Sequence, residues 1–140
     1  DSVNRQVAES LKAQAPEGVE VEIVEGLADV PFYNEDIDGA QVPAAAAALR
    51  AQVGSADRIL VVTPEYNATM PAVLNNAIDW LSRPYGQGAI SGKPTTAIRS
   101  WAGSTSRWNV RTRTSGRTAH HTLTALSASA GPAIAIRPGL

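Results

Sequence analysis

The sequence predicts a three-layer α/β fold, in which helices cover both faces of a parallel sheet. Residues 59–62 form a short apolar run rich in β-branched side chains, which is typical of a strand buried on both faces. Over residues 2–98 such runs alternate with segments whose apolar residues recur at helical spacing. This alternation requires crossover connections, and crossovers place the successive strands parallel to one another.

The first helix is predicted over residues 2–15, with Ser2 as its N-cap. Its buried face is formed by apolar residues about one turn apart: Val3, Val7 and Leu11, with Ala8 and Ala15. Pro16 and Gly18 end the helix. Residues 19–24 then alternate apolar and acidic side chains, which predicts a half-exposed strand towards an edge of the sheet.

The second helix is rich in alanine; it begins at Pro43 and is closed by Gly54. It leads into the buried run at residues 59–62. Pro64 ends that strand, because proline has no N–H to give to a ladder. A polar loop at residues 63–69 follows.

The third helix is predicted to start at Pro71, since the missing N–H of proline costs nothing at a first helical residue. Its apolar stripe consists of residues at helical spacing: Met70, Val73, Leu74, Ala77, Ile78 and Leu81. Pro84 and Gly86 stop this helix. Residues 93–98 are predicted to form the next strand.

The charge of the chain is divided unevenly along its length. All 13 acidic residues lie at or before Asp79, whereas eight of the 12 basic residues lie after it. The chain has no cysteine, which excludes disulfides and thiolate chemistry. No apolar run approaches the length of a transmembrane helix and no signal peptide is recognised, so we expect a cytoplasmic protein without membrane contact.

The loop at residues 63–69 has the position and the groups of a ligand site. Open α/β sheets bind ligands in the crevice outside the carboxyl ends of their strands. The loop offers backbone N–H groups, the ring of Tyr66, the carboxylate of Glu65 and the amide of Asn67. These groups suit a flat heterocycle with polar edges. The alternative is a polar turn that binds no ligand.

Three segments resemble the NADPH-dependent FMN reductase family, and the resemblance covers residues 2–98. They are Pro64-Glu-Tyr-Asn67, Pro71-Ala-Val-Leu-Asn-Asn-Ala-Ile-Asp-Trp-Leu-Ser-Arg-Pro84 and Gly92-Lys-Pro94. The resemblance implies a flavodoxin-like fold and an oxidoreductase that binds FMN non-covalently and takes hydride from NADPH or NADH. The electrons would pass to quinones, azo dyes, metal oxyanions or free flavin.

The resemblance also assigns cofactor-binding residues. Ser2 and Asn4 would bind the FMN phosphate at the start of the first helix, where unpaired N–H groups and the helix dipole attract anions. The alternative for Ser2 is simple capping of the helix. The residues expected against the isoalloxazine ring are Pro64, Glu65, Tyr66 and Asn67. Because the flavin carries the chemistry, no catalytic side chain is expected.

Two departures from the family pattern change the expectation for this chain. Family members begin with a strand and a phosphate loop of the form Gly-Ser-x-Arg-x-x-Ser-x-Asn, of which only residues 2–4 remain. After Ile98 the sequence contains no acidic residue, is rich in Ser, Thr and Arg, and lacks clear periodicity. We therefore expect an incomplete fold without its first strand, with a truncated FMN-binding domain at residues 1–98 and a basic, irregular part at 99–140.

Our hypothesis is that a shifted reading frame or a chimeric junction near Ile98 produced the C-terminal part. Within that part, residues 133–136 are still predicted to form a short strand. Because the phosphate loop is cut and the third flavin loop is replaced, we expect FMN binding by this chain to be weak or absent.

Other functions fit parts of the sequence. A flavodoxin-like module without a cofactor would serve as an interaction domain. The Arg-rich tail with Trp101 and Trp108 has the charges and rings that bind nucleic acid, but no recognisable module contains them, so no nucleic-acid partner is expected. His120 and His121 are adjacent and do not face one way, so no metal site is expected.

The resemblance further implies a homo-oligomer, either a dimer or a tetramer. The polar residues of the third helix are predicted to be solvated or to face another subunit: Asn75, Asn76 and Asp79. Trp80 is the predicted anchor of that interface.

Overall fold

Helices and strands alternate along the chain in the predicted order. A computed structural model describes residues 2–101, 104–110, 123–127 and 133–135. The helices are α1 (Val3–Ala13), α2 (Ala44–Gly54) and α3 (Ala72–Leu81). The strands are β1 (Val21–Val24), β2 (Arg58–Pro64), β3 (Thr95–Trp101), β4 (Ser104–Val110), β5 (Leu123–Ser127) and β6 (Ala133–Ala135). Two 3-10 turns, Leu27–Asp29 and Glu35–Ile37, lie between β1 and α2.

The sheet is organised around β2, which has partners on both sides. β3 runs parallel to it, and β5 runs parallel to both β2 and β1. β6 is antiparallel to β1 and β2, and the sheet order is β1-β5-β6-β2-β3-β4. β4 adds an antiparallel edge, because it pairs with β3 residue by residue from Thr95–Val110 to Trp101–Ser104. The predicted parallel arrangement of β1, β2 and β3 is therefore confirmed.

β2 is buried on both faces, as its sequence predicts. Ile59 and Val61 belong to an apolar core shared with α2 and α3. Leu60 and Val62 belong to a second core on the side of α1. Successive side chains of a strand point to opposite faces, so the helices lie on both sides of the sheet and the fold has three layers.

The buried face of α1 is confirmed except at its first residue. Ala8 is buried, and the other predicted residues that pack against the core of Leu60 and Val62 are Val7, Leu11 and Ala15. Val3 is 63% exposed, and its neighbour Asn4 is buried instead. Ser2 caps the helix as predicted, since its side chain accepts from the Arg5 N–H.

α3 begins one residue later than predicted, because Pro71 is its N-cap and not its first helical residue. The φ of −56° and ψ of 148° at Pro71 are extended rather than helical, so Ala72 is the first helical residue. The Pro71 carbonyl accepts from the N–H groups of Leu74 and Asn75, at 3.0 and 3.1 Å. The apolar stripe holds in its centre but not at its start, because Met70 is exposed.

The residues after Ile98 contain more regular structure than their sequence predicts. β4 and β5 form where no periodicity is recognised, since pairing with neighbouring strands defines them. The short strand predicted at residues 133–136 is confirmed as β6. β5 and β6 occupy the position between β1 and β2, where the family resemblance places a first strand. His120 and His121 lie outside the described residues.

The part of the chain that the structure describes offers neither a membrane span nor a metal cluster. None of the described helices is both long enough and apolar enough to cross a bilayer. No group of three or more His, Cys, Asp or Glu side chains is arranged to hold a metal ion within the same residues.

An ion pair fastens the segment before α2 to the two helices of the larger core. The guanidinium of Arg50 donates to both oxygens of Asp38, at 2.7 and 2.9 Å, and its Nε donates to the Trp80 carbonyl at 2.8 Å. The guanidinium also lies 5.2 Å from the centre of the Trp80 ring, within range of a cation–π interaction. The hydrogen bonds from Arg50 hold the pKa of Asp38 below its usual value.

This lowered pKa of Asp38 predicts an acid-dependent loss of stability. A carboxylate whose pKa is lower in the folded state stabilises the protein above its unfolded pKa of about 3.9. That contribution is lost as the pH falls through the folded-state pKa. We expect Asp38→Asn to be less stable than the wild type at neutral pH, and the difference to shrink in acid. Urea unfolding across this pH range measures it.

The control for this measurement is Asp36→Asn, since Asp36 is an exposed acid of the same segment. Its stability is expected to follow the wild type at every pH. A difference between Asp38→Asn and the wild type that stays constant from neutral pH into acid would contradict the assignment.

Candidate functional site

The predicted site residues gather at the edge of the sheet formed by the carboxyl ends of the strands. Arg5, in the first turn of α1, donates to Glu25 at 3.2 Å, and Glu25 immediately follows β1. The start of α1 therefore lies beside the carboxyl end of β1. The loop at residues 65–71 leaves the carboxyl end of β2 and leads into α3. Both groups of predicted residues thus belong to the ligand-binding edge of an open α/β sheet.

The start of α1 has the features of an anion site. Ser2 is extended, with a ψ of 125°, and its Oγ accepts from the Arg5 N–H at 3.4 Å. The capping alternative for Ser2 is therefore realised, and capping leaves the first N–H groups of the helix directed outward. The first turn carries no acidic residue that would repel an anion. Asn4 is only 4% exposed, so its side chain is shielded from bulk solvent.

The charge of Arg5 is already matched by two carboxylates. Its Nε donates to Glu9 at 2.7 Å, and its Nη2 donates to Glu25 at 3.2 Å. The hydrogen bond to Glu9, followed by the attraction of both carboxylates, raises the pKa of Arg5. A phosphate at this helix end would therefore depend on backbone N–H groups more than on a cationic side chain.

The loop after β2 is a rigid two-residue hairpin turn. Tyr66 and Thr69 exchange two backbone hydrogen bonds, both of 3.0 Å. The residues between them, Asn67 and Ala68, have φ angles of 51° and 61°. Positive φ at both central residues defines a type I′ turn, in which asparagine is favoured at the first position and glycine at the second. Asn67 therefore sets the shape of the loop, and Ala68 adopts its conformation under strain.

The turn presents an aromatic ring and a limited set of backbone donors. Pro64 is buried, Glu65 is half-buried, and Tyr66 is 57% exposed. The N–H groups of Tyr66 and Thr69 are used within the turn, so these two are unavailable to a ligand. The N–H groups of Asn67 and Ala68 take no part in that bridge. Asn75 holds the far end of the loop, because its Nδ2 donates to the Met70 carbonyl at 3.1 Å.

A second loop at this edge, residues 30–33, is held by the side chains of Asn76 and Trp80, which were predicted to face outward. The Oδ1 of Asn76 accepts from the Tyr33 N–H at 2.8 Å, and its Nδ2 donates to the carbonyls of Val30 and Pro31, at 3.1 and 3.0 Å. Trp80 Nε1 donates to the same Pro31 carbonyl at 2.8 Å. We call these four hydrogen bonds the α3 clamp.

The α3 clamp corrects two predictions. Asn76 was predicted at the surface but is 7% exposed, and Trp80 was predicted as an interface anchor but is fully buried. Asn75 and Asp79 are exposed, as predicted. The available signal was the position of Asn76 on the apolar side of α3, because a buried amide must find hydrogen-bond partners.

Tyr33 extends the clamp towards the ion pair of the fold. Its ring packs edge-on against Trp80, with 5.0 Å between the ring centres, and Arg83 lies 5.8 Å from the Tyr33 ring. Partial burial, followed by the interaction with Asp38, raises the pKa of Tyr33, so its phenol stays protonated at neutral pH.

One cleft lies beside this edge, lined by residues of α2 and the segment after β1, including Glu25 and Asp29. An apolar groove lined by Leu11, Val21 and Leu60, among others, lies at the opposite edge, near the amino-terminal ends of β1 and β2.

The residues at this edge fit the two halves of FMN. The capped start of α1, without an acid in its first turn, suits a phosphate. The rigid turn offers the exposed ring of Tyr66 and two tip N–H groups to a flat, polar-edged ring.

The strained turn predicts that glycine at position 68 stabilises the protein. An alanine with positive φ costs about 1–2 kcal/mol, whereas glycine adopts this conformation freely but adds entropy to the unfolded chain. The Ala68→Gly variant is expected to gain about 0.5–1 kcal/mol in the free energy of unfolding, measured with urea. Ala72→Gly, at an exposed helical position, serves as the matched control and is expected to lose stability. Destabilisation by Ala68→Gly would contradict the turn assignment.

Comparisons with known proteins identify the family of the chain. A family model described as NADPH-dependent FMN reductase matches residues 1–133. A quinone reductase of Pseudomonas putida is 47% identical over 98 residues, which are 70% of this chain and 52% of that protein. A 2-hydroxy-1,4-benzoquinone reductase of Burkholderia sp is 44% identical over 98 residues, with the same two coverages of 70% and 52%.

A solved structure supports the fold. FerB, a flavoenzyme NAD(P)H:(acceptor) oxidoreductase from Paracoccus denitrificans, is 35% identical, with a TM-score of 0.60 over 71% of this chain and 53% of that one. The flavodoxin-like α/β fold implied by the sequence is thereby confirmed. The chain spans about half the length of the curated relatives it matches, at 52% for the two reductases above. By the family match, the three sequence segments and the fold, the chain belongs to the NADPH-dependent FMN reductase family.

Proposed function

We propose that the chain acts in an NAD(P)H-dependent FMN oxidoreductase that passes electrons to a quinone. The observation that carries the proposal is the meeting, at one sheet edge, of a capped helix start and a rigid turn with an exposed aromatic ring. Relatives named as quinone reductases support a quinone as acceptor. Azo dyes, metal oxyanions and free flavin are acceptors that the family resemblance allows but that no feature of the site favours.

The protein residues bind and orient rather than react. Ser2 and Asn4 hold the phosphate end, and Tyr66 forms a wall of the ring site. Asn67 keeps the turn in shape, so that its tip N–H groups face the polar edge of the ring. When bound, FMN supplies the hydride-accepting and electron-donating chemistry, so no protein acid, base or nucleophile is assigned a catalytic role. NADPH or NADH is the proposed electron donor.

We expect the affinity of this chain for FMN to be weak. Among the described residues, the positive charge in the first turn of α1 is that of Arg5, and it is matched by Glu9 and Glu25. Without an added cation, the phosphate end relies on short side chains and the helix dipole, and the dipole contributes about 0.3–1 kcal/mol at a surface. The proposed FMN-binding unit comprises residues 1–98, and the basic part at residues 99–140 contributes β4, β5 and β6 to the same sheet.

We also propose a cytoplasmic homo-oligomer. The family resemblance implies a dimer or tetramer, and the outward face of α3 carries the exposed residues Asn75 and Asp79. This face replaces Trp80 as the proposed contact, because Trp80 is buried within its own chain.

The role of Asn4 predicts a loss of selectivity between FMN and riboflavin, which lacks the phosphate. One hydrogen bond to a charged group contributes about 1.5–3 kcal/mol. We therefore expect Asn4→Ala to raise the Kd for FMN about tenfold or more and to leave the Kd for riboflavin nearly unchanged. Quenching of flavin fluorescence measures both constants. Riboflavin is the internal control, since loss of folding would weaken both ligands alike.

The role of Tyr66 predicts the opposite pattern. Tyr66→Ala is expected to raise the Kd for FMN and the Kd for riboflavin by the same factor, because both ligands contain the ring that Tyr66 is proposed to contact. An aromatic contact contributes about 0.5–1.5 kcal/mol beyond its area, so the expected factor is about 2–13. Tyr66→Phe keeps the ring and is expected to bind both ligands as the wild type does.

One result would overturn the proposed function as a whole. A colourless protein whose melting temperature is unchanged by saturating FMN would favour the alternative, a flavodoxin-like interaction module without a cofactor. A yellow protein that is bleached by NADPH and recovers its colour on addition of a quinone would support the proposal.

A further inference from the structure

Phe32 is exposed although the segment around it is firmly held. It is the one phenylalanine of the chain, and 80% of its surface is accessible to solvent. Exposed apolar side chains are ordinary on loose loops but informative on rigid ones, because a rigid backbone prevents them from folding back onto the protein. The α3 clamp makes this segment rigid.

The clamp fixes the backbone on both sides of Phe32. The carbonyl of Pro31, the residue before it, accepts from Asn76 and from Trp80. The N–H of Tyr33, the residue after it, donates to Asn76 at 2.8 Å. The Tyr33 ring is in turn packed against Trp80. With both neighbours held, the Phe32 side chain is directed outward by the fold.

The same helix connects Phe32 to the candidate site. Asn75 donates to the Met70 carbonyl at the end of the turn after β2, and Asn76 holds the segment that carries Phe32. These neighbouring residues lie in the first two turns of α3, which begins at Ala72 next to the site. The two loops are therefore held to one rigid element at the ligand-binding edge of the sheet.

We propose that Phe32 contacts the electron acceptor as an aromatic wall and that Asn76 is a positioning residue that holds it there. The inference rests on the proposed function, because it assigns the acceptor side of the same site. A flat, neutral quinone is the ligand that an exposed phenyl ring recognises by stacking. The flavin contacts remain with the turn at residues 64–67.

The surrounding charge narrows the class of acceptor. Glu35 and Asp36 follow Phe32 closely and are exposed, and their two negative charges outweigh the single positive charge of Arg83, which lies 5.8 Å from the Tyr33 ring. Their carboxylates repel anions over about 8–10 Å at physiological salt. Neutral quinones are therefore preferred over anionic acceptors such as sulfonated quinones or metal oxyanions.

The single phenylalanine allows a direct test. Incorporation of 4-fluorophenylalanine places one fluorine label in the full chain, at Phe32, and its ¹⁹F NMR signal reports contact without a need for turnover. With FMN present, titration with neutral 1,4-naphthoquinone is expected to shift the signal saturably. The anionic 2-sulfonate is expected to bind several-fold more weakly. Asn76→Asp keeps an oxygen that accepts from the Tyr33 N–H but removes the Nδ2 group that donates to Val30 and Pro31. This variant is expected to raise the Kd for the neutral quinone about tenfold.

Kinetic variants separate contact from folding. Phe32→Leu keeps an apolar side chain but removes the ring, and it is expected to raise the KM for the neutral quinone about five- to tenfold with kcat and the Kd for FMN unchanged. Tyr85→Leu is the matched control, because Tyr85 is also exposed but lies outside the clamp. Its KM for the quinone is expected to equal that of the wild type. If Asn76→Asp does not fold, the KM of Phe32→Leu still tests whether Phe32 contacts the quinone.

The outcomes distinguish this inference from the proposed function. An unchanged ¹⁹F signal in a protein that binds FMN and reduces the quinone overturns the role of Phe32 alone. A saturable shift in a protein that binds no FMN overturns the proposed function and retains Phe32 as a quinone contact. If the signal does not shift and the protein does not bind FMN, both the role of Phe32 and the proposed function are overturned. A KM that rises equally in Phe32→Leu and Tyr85→Leu also overturns the specific role of Phe32.

Discussion

The carboxamide of Asn76 is the interaction on which the ligand-binding edge depends. A buried polar group without partners costs about 1–3 kcal/mol, so Asn76 can lie inside the larger core only while Val30, Pro31 and Tyr33 satisfy it. That requirement works in both directions. It fixes the backbone of a loop whose Val30 and Tyr33 also pack into the larger core, and it selects one rotation of α3 about its axis. The indole of Trp80 reinforces the same geometry one turn later.

The two halves of the site differ in how their shape is maintained. The segment after β1 is held from outside, by side chains of α3. The turn after β2 is held from within, by the paired backbone bonds of Tyr66 and Thr69, and it tolerates a strained Ala68 because those bonds close it. Both depend on α3, since Asn75 also fastens the end of the turn. A change in the first turns of α3 would therefore move both halves together, whereas a change in the turn would affect one.

Much of the fold follows from local patterns in the sequence, and the remainder depends on contacts that patterns do not contain. The strand β2 is predicted because a short, unbroken apolar run with β-branched residues is typical of a buried strand. The role of Ser2 as the N-cap of α1 is predicted because capping involves only residues of the same helix turn. Asn76 and Trp80 were misplaced because asparagine is usually exposed and tryptophan is often found at interfaces. Their burial requires the segment at residues 30–33 as a partner, more than 40 residues away along the chain. The site residues at 64–67 came from family resemblance, and only their turn geometry has a local cause.

In the proposed function, the charges at this edge favour ring recognition over phosphate recognition. Arg5 lies in the turn of α1 nearest the proposed phosphate position, but its guanidinium is shared between Glu9 and Glu25. What remains for an anion is the helix start itself, whose effect fades within one turn and is screened by salt. The exposed ring of Tyr66 and the fixed backbone of its turn are not screened in this way. We therefore propose that flat shape and ring-edge polarity select the ligands of this edge more than charge does, and that the carboxylates of Glu35 and Asp36 disfavour additional negative groups.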